Sequence, residues 1–581
     1  MLFKNRLLVI YRHGDRISEA SMRYLKWFYN IIYRIPMDII DSLDFIKAPE
    51  NLPLITNNIY NHIMIFLLSS ISGEGEDSWL LSMLNEVNGR VPIVTFYRAP
   101  YAFNKNPIAK DIFNLYPVHE NEGYIKNVSI TDKTLSQGVE WSSVRDPISS
   151  YNSASDKDHF VTIEPLEKDK NYRPLMLYNN QTIAAQYGLN IFIGQKGVAI
   201  PREDRALEFD RPIYFLRLLD NLLKKSAAGY LRLKLTNWPV VLRMDDPPTT
   251  WQLTSQKRKI LTPKDYAKVI NILTKYRAKM TCFVTPTHVS KNGRVKPWTE
   301  TNHDNAKKTL RILGDGVKKG IIEIGSHGLT HLTIGYKPPS ITTTLLSKVS
   351  FAKYNLAREF YDSKLGKEIP YELQKRQLDG SMKLVEGFFG SKPKAFAPPA
   401  HAWDDSTEKA LLKMGIPYFS ADMNFYLYSE GYEFRKNPSP IGETTCNGDL
   451  LYVSATILSS YGTFQKTLKL FNELGVPLVW QQHNFHPSWF TPEILESFSK
   501  DVELFGDKTY MWVSELGDLL RRYRRIESHA TLENGCVKFS IKTEMPIIIE
   551  AYYNEKIQVR KIPAGHHWIE LNLRSPSTLM A

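Results

Sequence analysis

Two carboxylates stand side by side at Asp245 and Asp246, and two imidazoles stand four residues apart at His327 and His331. Two nitrogens and an oxygen make most of a divalent-cation site, and one carboxylate is left over. The spare carboxylate can act as a base towards a water that the cation acidifies. Each pair alone is ordinary, since Asp-Asp is common in solvated turns and an HxxxH spacing arises by coincidence. Their setting gives them weight. Trp238 to Asp246 reads as a buried strand that ends in acid and breaks at Pro247 and Pro248. Ile321 to His327 reads as a second strand with a histidine at its end, and His331 returns to the same side if the chain turns helically there. Successive side chains on a strand point to opposite faces, so Asp245 and Asp246 diverge unless the strand ends between them. One would then face the cation and the other a reacting water.

The elements that must position these groups follow from length and pattern. A chain of 581 residues suits two to four domains, and 43% hydrophobic with 23% charged residues is ordinary for a globular protein with large cores. Residues 1–235 read as an open α/β domain, with strands at 7–11, 37–40, 92–96, 174–178 and 189–193 and a helix at 19–33. Within it, 118–172 reads as an irregular insertion. Residues 236–526 alternate strand and helix. The helices fall near 262–279, 304–319, 341–363, 371–389, 406–414, 463–474, 492–504 and 514–523. The strands fall near 280–284, 321–325, 395–397, 417–420, 450–455, 476–482 and 510–513. Repeated β/α units of this number predict a barrel whose chemistry sits at strand C-termini, where the candidate ligands lie. Residues 527–581 lack helical periodicity and read as a small β module.

Composition also sets the compartment and the partners to expect. Cys282, Cys446 and Cys536 are few and widely spaced, form no CxxC, and imply a reducing compartment rather than a disulfide framework. The apolar run after Met1 is too short for a secretory signal, and 63–68 is too short to span a bilayer. The expectation is a soluble, cytoplasmic protein with no membrane span. The net charge of +13 would favour polyanions, but it is spread along the chain. Its one dense run, Arg521 to Arg525, closes a helix, where cations suit the dipole. No nucleic-acid motif accompanies it, so nucleic acid is not an expected partner.

The order of motifs in 236–526 resembles the polysaccharide deacetylase family, carbohydrate esterase family 4. Met244-Asp245-Asp246 looks like its Asp-Asp strand end, and Ser326 to His331 like its HxxxH. Ala395 to Pro399 looks like its Arg-x-Pro strand end without the arginine, and Val479 to His483 like its late Leu-x-His strand. Trp512 to Leu516 resembles the way such domains close. The resemblance implies a distorted (β/α) barrel and a divalent metal, zinc first, with cobalt or iron also suited to such a donor set. It makes Asp246, His327 and His331 the metal ligands, Asp245 the base and His483 the acid, acting on an acylated and chiefly N-acetylated sugar or polysaccharide. An amide is a poor electrophile and its amine leaves only when protonated, so both base and acid are needed. His401 and Trp403 are expected to touch substrate, and His486 to line the rim. The chain departs from the family at Pro247, where glycine is usual, and at Asp422 to Asn424, a remnant of an Asp-x-x-Asp-Trp motif. Ala397 replaces the arginine that buttresses the base, so either slow turnover or a substitute partner is expected, with His401 the nearest choice.

Rival readings rest on fewer residues. Arg12-His13-Gly14-Asp15-Arg16 follows a strand and resembles the histidine phosphatase signature, in which a histidine is phosphorylated and arginines clamp phosphate. Arg98, His119, Glu120, Asp158 and His159 are weak partners for it, and the expectation is a polar turn without phosphohydrolysis. A glycosidase needs carboxylates at least ~5 Å apart across the substrate, which adjacent aspartates do not offer. A degenerate barrel that binds glycan without chemistry is favoured by Ala397 and opposed by the retained aspartates and histidines.

Overall fold

A strand buried on both faces needs a near-continuous apolar run, as parallel sheets covered by helices show. Pro239–Asp245 supplies one, and every residue of it is buried. In the computed structural model it lies inside a parallel sheet. The structure describes residues 2–13, 16–42, 60, 62–65, 83–96, 112–124, 128–132, 157–167, 169–194, 210–224, 230–248, 261–289, 294–331, 359–362, 367–421, 439–445, 448–459, 464–482, 492–504, 509–533, 536–553 and 556–572. The chain divides into two units, one of residues 1–236, 461–476 and 522–581, the other of 237–460 and 477–521.

The second unit is built on that sheet. Its strands run in the order 451–452, 418–419, 395–396, 322–326, 280–284, 239–245, 478–482 and 457–459, and Thr509–Met511 pairs with the start of Pro239–Asp245. Every pairing in it is parallel. The two ends of this order belong to one short segment. Tyr452 pairs with Phe419, and Ile457 pairs with Trp480, so the sheet curls round towards closure as a distorted (β/α) barrel.

Helices follow their strands in sequence. Pro263–Lys275 opens where the Thr262–Pro263 pattern predicts, and the Asp265 carboxylate accepts the Thr262 amide at 3.0 Å. Tyr371–Phe389 ends at Gly390, whose φ of 74° suits glycine at a helix C-terminus. The helix expected over 341–363 lies outside the described residues but for its end, where Tyr361–Asp362 is a short strand.

The first unit carries a mixed sheet in the order 37–41, 7–11, 62–65, 93–96, 190–193, 181–187, 172–178 and 128–130. The first five strands are parallel and the last three pair antiparallel. The single helix expected at 19–33 is instead an α-helix over Arg16–Leu25 that widens into a π-helix over Lys26–Ile32. The wider turn buries Trp27, Phe28, Tyr29, Ile31 and Ile32 together, more of the circumference than an amphipathic stripe covers. The stretch 118–172, read as irregular, holds most of an antiparallel ribbon of Leu115–Tyr124 with Lys157–Pro165. Ladder hydrogen bonds come from the backbone, so such a ribbon needs little side-chain periodicity.

The β-rich residues 527–572 lie in this unit too. Glu527–Glu533 pairs with Leu2–Lys4, and Ile547–Tyr553 pairs with Tyr230–Leu235. Within the latter sheet Arg232 is fully buried, with Nε 2.6 Å from Glu550 and Nη1 2.6 Å from Asp220. No helix among the described residues is long and apolar enough to cross a membrane.

Candidate active site

The strand Pro239–Asp245 ends between the two aspartates. Asp246 takes a φ of 70°, outside the strand conformation, while its amide still donates to the Phe283 carbonyl at 3.0 Å. Leaving the strand there releases Asp246 from the alternation that would turn it away from Asp245.

His327 follows the strand Ile322–Ser326, which is separated from Pro239–Asp245 by Met280–Val284, and its amide donates to Val284 at 3.0 Å. A helical turn was expected to bring His331 round to it. The chain does so instead by a bend with two left-handed residues, Gly328 at φ 76° and His331 at φ 61°. Glycine is required at the first of these, because a Cβ there would meet the Glu359 carboxylate at 2.3 Å.

The result is convergence. Asp246 Oδ1 lies 3.2 Å from His327 Nε2 and 3.1 Å from His331 Nε2. All three side chains are buried, and their donor atoms lie within 4.8 Å of one another. His327 Nδ1 is 2.8 Å from the Ala397 carbonyl, which can only accept. Nδ1 therefore carries the proton, and Nε2 presents its lone pair to the cluster, the tautomer a metal-ligating histidine needs. Burial opposes charge on His327, but the facing Asp246 outweighs it and the pKa is raised. A buried carboxylate oxygen and two imidazole nitrogens on one point fit a divalent metal of the zinc, cobalt or iron type.

Asp245 is held by a residue that sequence reading missed. Arg243, fully buried, donates from Nε to Asp245 Oδ1 at 2.8 Å and from Nη2 to Oδ2 at 2.6 Å. Its Nη1 reaches Ser420 Oγ at 3.1 Å and the Ala421 carbonyl at 3.2 Å, beyond the end of strand Tyr418–Phe419. The guanidinium thus grips both oxygens of the carboxylate, and its far side is satisfied as well.

Glu359 is a further buried carboxylate beside the ligand loop. It accepts the amides of Leu329, Thr330 and His331 at 3.0, 3.0 and 2.9 Å. Burial pushes its pKa up to about 7, against the three amides that favour its charged form.

Arg243 is a partner of Asp245, and His401 closes the short turn Pro399–His401 with a φ of 55°. Trp403 is a core residue rather than a substrate contact. It is fully buried, packs on Phe419 with ring centroids 5.0 Å apart, and donates from Nε1 to Glu408 at 3.0 Å. His483, His486 and the stretch Asp422 to Asn424 lie outside the described residues. In the first unit, the His13 amide is 3.1 Å from Asp41 Oδ1 and its Nδ1 is 3.0 Å from Glu19. Gly14 and Asp15 of the same motif lie outside the described residues.

Residues 238–419 match the family model described as polysaccharide deacetylase. No curated protein matches the chain. Among solved structures, a putative polysaccharide deacetylase from Mycobacterium smegmatis is 12% identical at a TM-score of 0.31, over 50% of this chain and 92% of that one. A family 4 acetyl xylan esterase from Clostridium thermocellum, in complex with a cobalt ion, is 16% identical at 0.23, over 48% and 91%. A peptidoglycan deacetylase from Bacillus subtilis is 12% identical at 0.24, over 50% and 94%.

Proposed function

We propose, from the match of residues 238–419 to the polysaccharide deacetylase family model, that this chain is a metal-dependent hydrolase removing an acyl group, chiefly N-acetyl, from a sugar or polysaccharide. The observation that carries the proposal is one arrangement. Asp246, His327 and His331 converge on a point, and the neighbouring Asp245 is gripped at both oxygens by Arg243.

Asp246, His327 and His331 would hold the metal, zinc first. When bound, such an ion lowers the pKa of a nearby water and polarises a carbonyl. Asp245 would take the proton as that water adds to the acyl carbon. Arg243 fixes the plane of the carboxylate, so the proton goes to a defined oxygen. The carbon–nitrogen bond then breaks, and the amine needs a proton to leave. His483, carried by the chain directly after strand Leu478–Gln482, is the proposed donor. The strand pairs with Pro239–Asp245 over Val240 to Arg243, next to the candidate base. His401 and His486 remain proposed substrate contacts on sequence grounds alone.

The test measures metal content and acetate release together, on a panel of N-acetylated glycans. Asp245→Asn keeps the size of the side chain and removes the base, so metal should stay while rate falls by roughly 10²–10⁴-fold. Equal activity in variant and wild type at matched metal loading would remove Asp245 from the role. Metal without acetate release in either would favour a glycan-binding protein.

A further inference from the structure

Residues 327–331 form no helix or strand, yet their backbone groups are taken from outside them. Ser381 Oγ donates to the Gly328 carbonyl at 2.7 Å and lies 2.8 Å from Ser326 Oγ. Thr287 Oγ1 donates to the Leu329 carbonyl. The three successive amides of Leu329, Thr330 and His331 all point to Glu359. Successive amides that converge in this way form a concave nest that suits an anion. Here the anion is the chain's own side chain, and both its carboxylate oxygens are used.

The geometry of the loop depends on that carboxylate. His331 sits at φ 61°, a conformation that non-glycine residues rarely adopt and that the surroundings must hold. Its own amide is one of the three that Glu359 accepts, so the backbone is fixed where the imidazole begins. Gly328 lies against the same carboxylate, where a Cβ would meet Oε2 at 2.3 Å. Glu359 touches neither Asp246 nor the imidazole nitrogens through any of these bonds; it acts on the backbone.

We propose that Glu359 is a positioning residue for the metal centre: its carboxylate fills the amide nest of residues 329–331 and so aims the His331 ring at Asp246. The inference rests on the reading of Asp246, His327 and His331 as metal ligands, and it concerns the affinity of that centre rather than the chemical step. Glu359→Gln keeps the shape but presents one acceptor oxygen and an NH₂ group to donors that need two acceptors. Glu359→Asp keeps the charge on a shorter arm.

The experiment titrates Co²⁺ into metal-free full-length protein and follows its visible d–d absorption. In Glu359→Gln the dissociation constant should rise by roughly 10–100-fold, the usual cost of losing a group that orients a ligand, and the absorption band should shift with the altered ligand field. Glu359→Asp should fall between this variant and wild type. A merely structural role would lower the thermal midpoint of the metal-free protein and leave both the cobalt dissociation constant and the band unchanged, and that result overturns the proposal. Failure of the wild-type protein to take up cobalt would instead refute the ligand reading, and this inference with it. If Glu359→Gln does not accumulate as folded protein, the comparison is decided by Glu359→Asp, where a wild-type dissociation constant and band would count against the role.

Discussion

Arg243 stands two residues before Asp245 on one strand, so both side chains leave the same face. In the sequence the arginine is one cation in an apolar run. In the barrel it is fully buried and grips Asp245 with two hydrogen bonds. Asp245 therefore has an arginine partner in Arg243, although Ala397 stands where the family resemblance calls for one. The position keeps a use through its backbone, because the Ala397 carbonyl fixes the His327 tautomer. Removing Arg243 would leave a buried charge unpaired, and breaking such a pair costs about 3–5 kcal/mol of stability. Hydrogen bonds to a charged group are worth about 1.5–3 kcal/mol, so Arg243→Ala should also slow turnover by roughly 10–100-fold, mainly in kcat, while metal content holds. Added guanidinium should restore part of that rate, and Arg243→Lys should not replace the two-point grip. Turnover equal to wild type at matched metal loading, in folded Arg243→Ala, would show that the arginine only supports the fold.

Elements differed in how openly the sequence declared them. The strand Met280–Val284 and the helices Tyr371–Phe389 and Pro492–Leu504 fall on the expected residues, because their apolar periods and end signals agree. The Asp-Asp pair and the HxxxH pair were legible because each sits in a few residues at a strand end. The Arg243–Asp245 grip was also there, in the two-residue period of a strand. Glu359 was not legible, since it follows His331 at a distance and binds backbone amides that carry no residue identity. The Arg232 cluster was hidden for a related reason, for its members come from Asp210–Lys224, Tyr230–Leu235 and Ile547–Tyr553. That cluster makes its own prediction. Burial alone would raise the Glu550 pKa, but Arg232 and Lys234 outweigh it and hold the group at about 2, below its ordinary 4.5. A depressed carboxyl pKa adds stability above the unfolded value and loses it as pH falls towards the folded one. The contribution, roughly 3 kcal/mol, should be present above pH 4.5 and fade between there and about pH 2. Urea denaturation followed across this window should show wild type losing stability more steeply than Glu550→Gln. Parallel curves for the two proteins would mean the carboxylate is not held by its cations as the geometry implies.

At the scale of the whole molecule, sequence order and spatial grouping part company. Residues 461–476 and 522–581 belong with the first unit, although they follow or interrupt the barrel. Strand patterns state that a segment pairs but not with which partner, so the pairing of Leu2–Lys4 with Glu527–Glu533 could not be read in advance. The division has a thermodynamic consequence. The candidate metal centre draws all three ligands from the second unit, while the Arg232 cluster lies in the first. A ligand that binds only the folded state adds stability by RT ln(1 + [L]/Kd), about 2.7 kcal/mol at a hundredfold excess over Kd. Zinc should therefore raise the thermal transition that belongs to the second unit by several degrees. Acidification from pH 4.5 towards 2 should act on the first through Glu550. Calorimetry of the full chain, with zinc and with chelator, reads the first effect directly. His331→Ala should abolish the zinc-dependent shift and leave the acid response unchanged, because the imidazole belongs to one unit and the carboxylate to the other. A zinc shift of wild-type size in His331→Ala would place the bound metal elsewhere and refute the ligand set, whatever the activity of the protein.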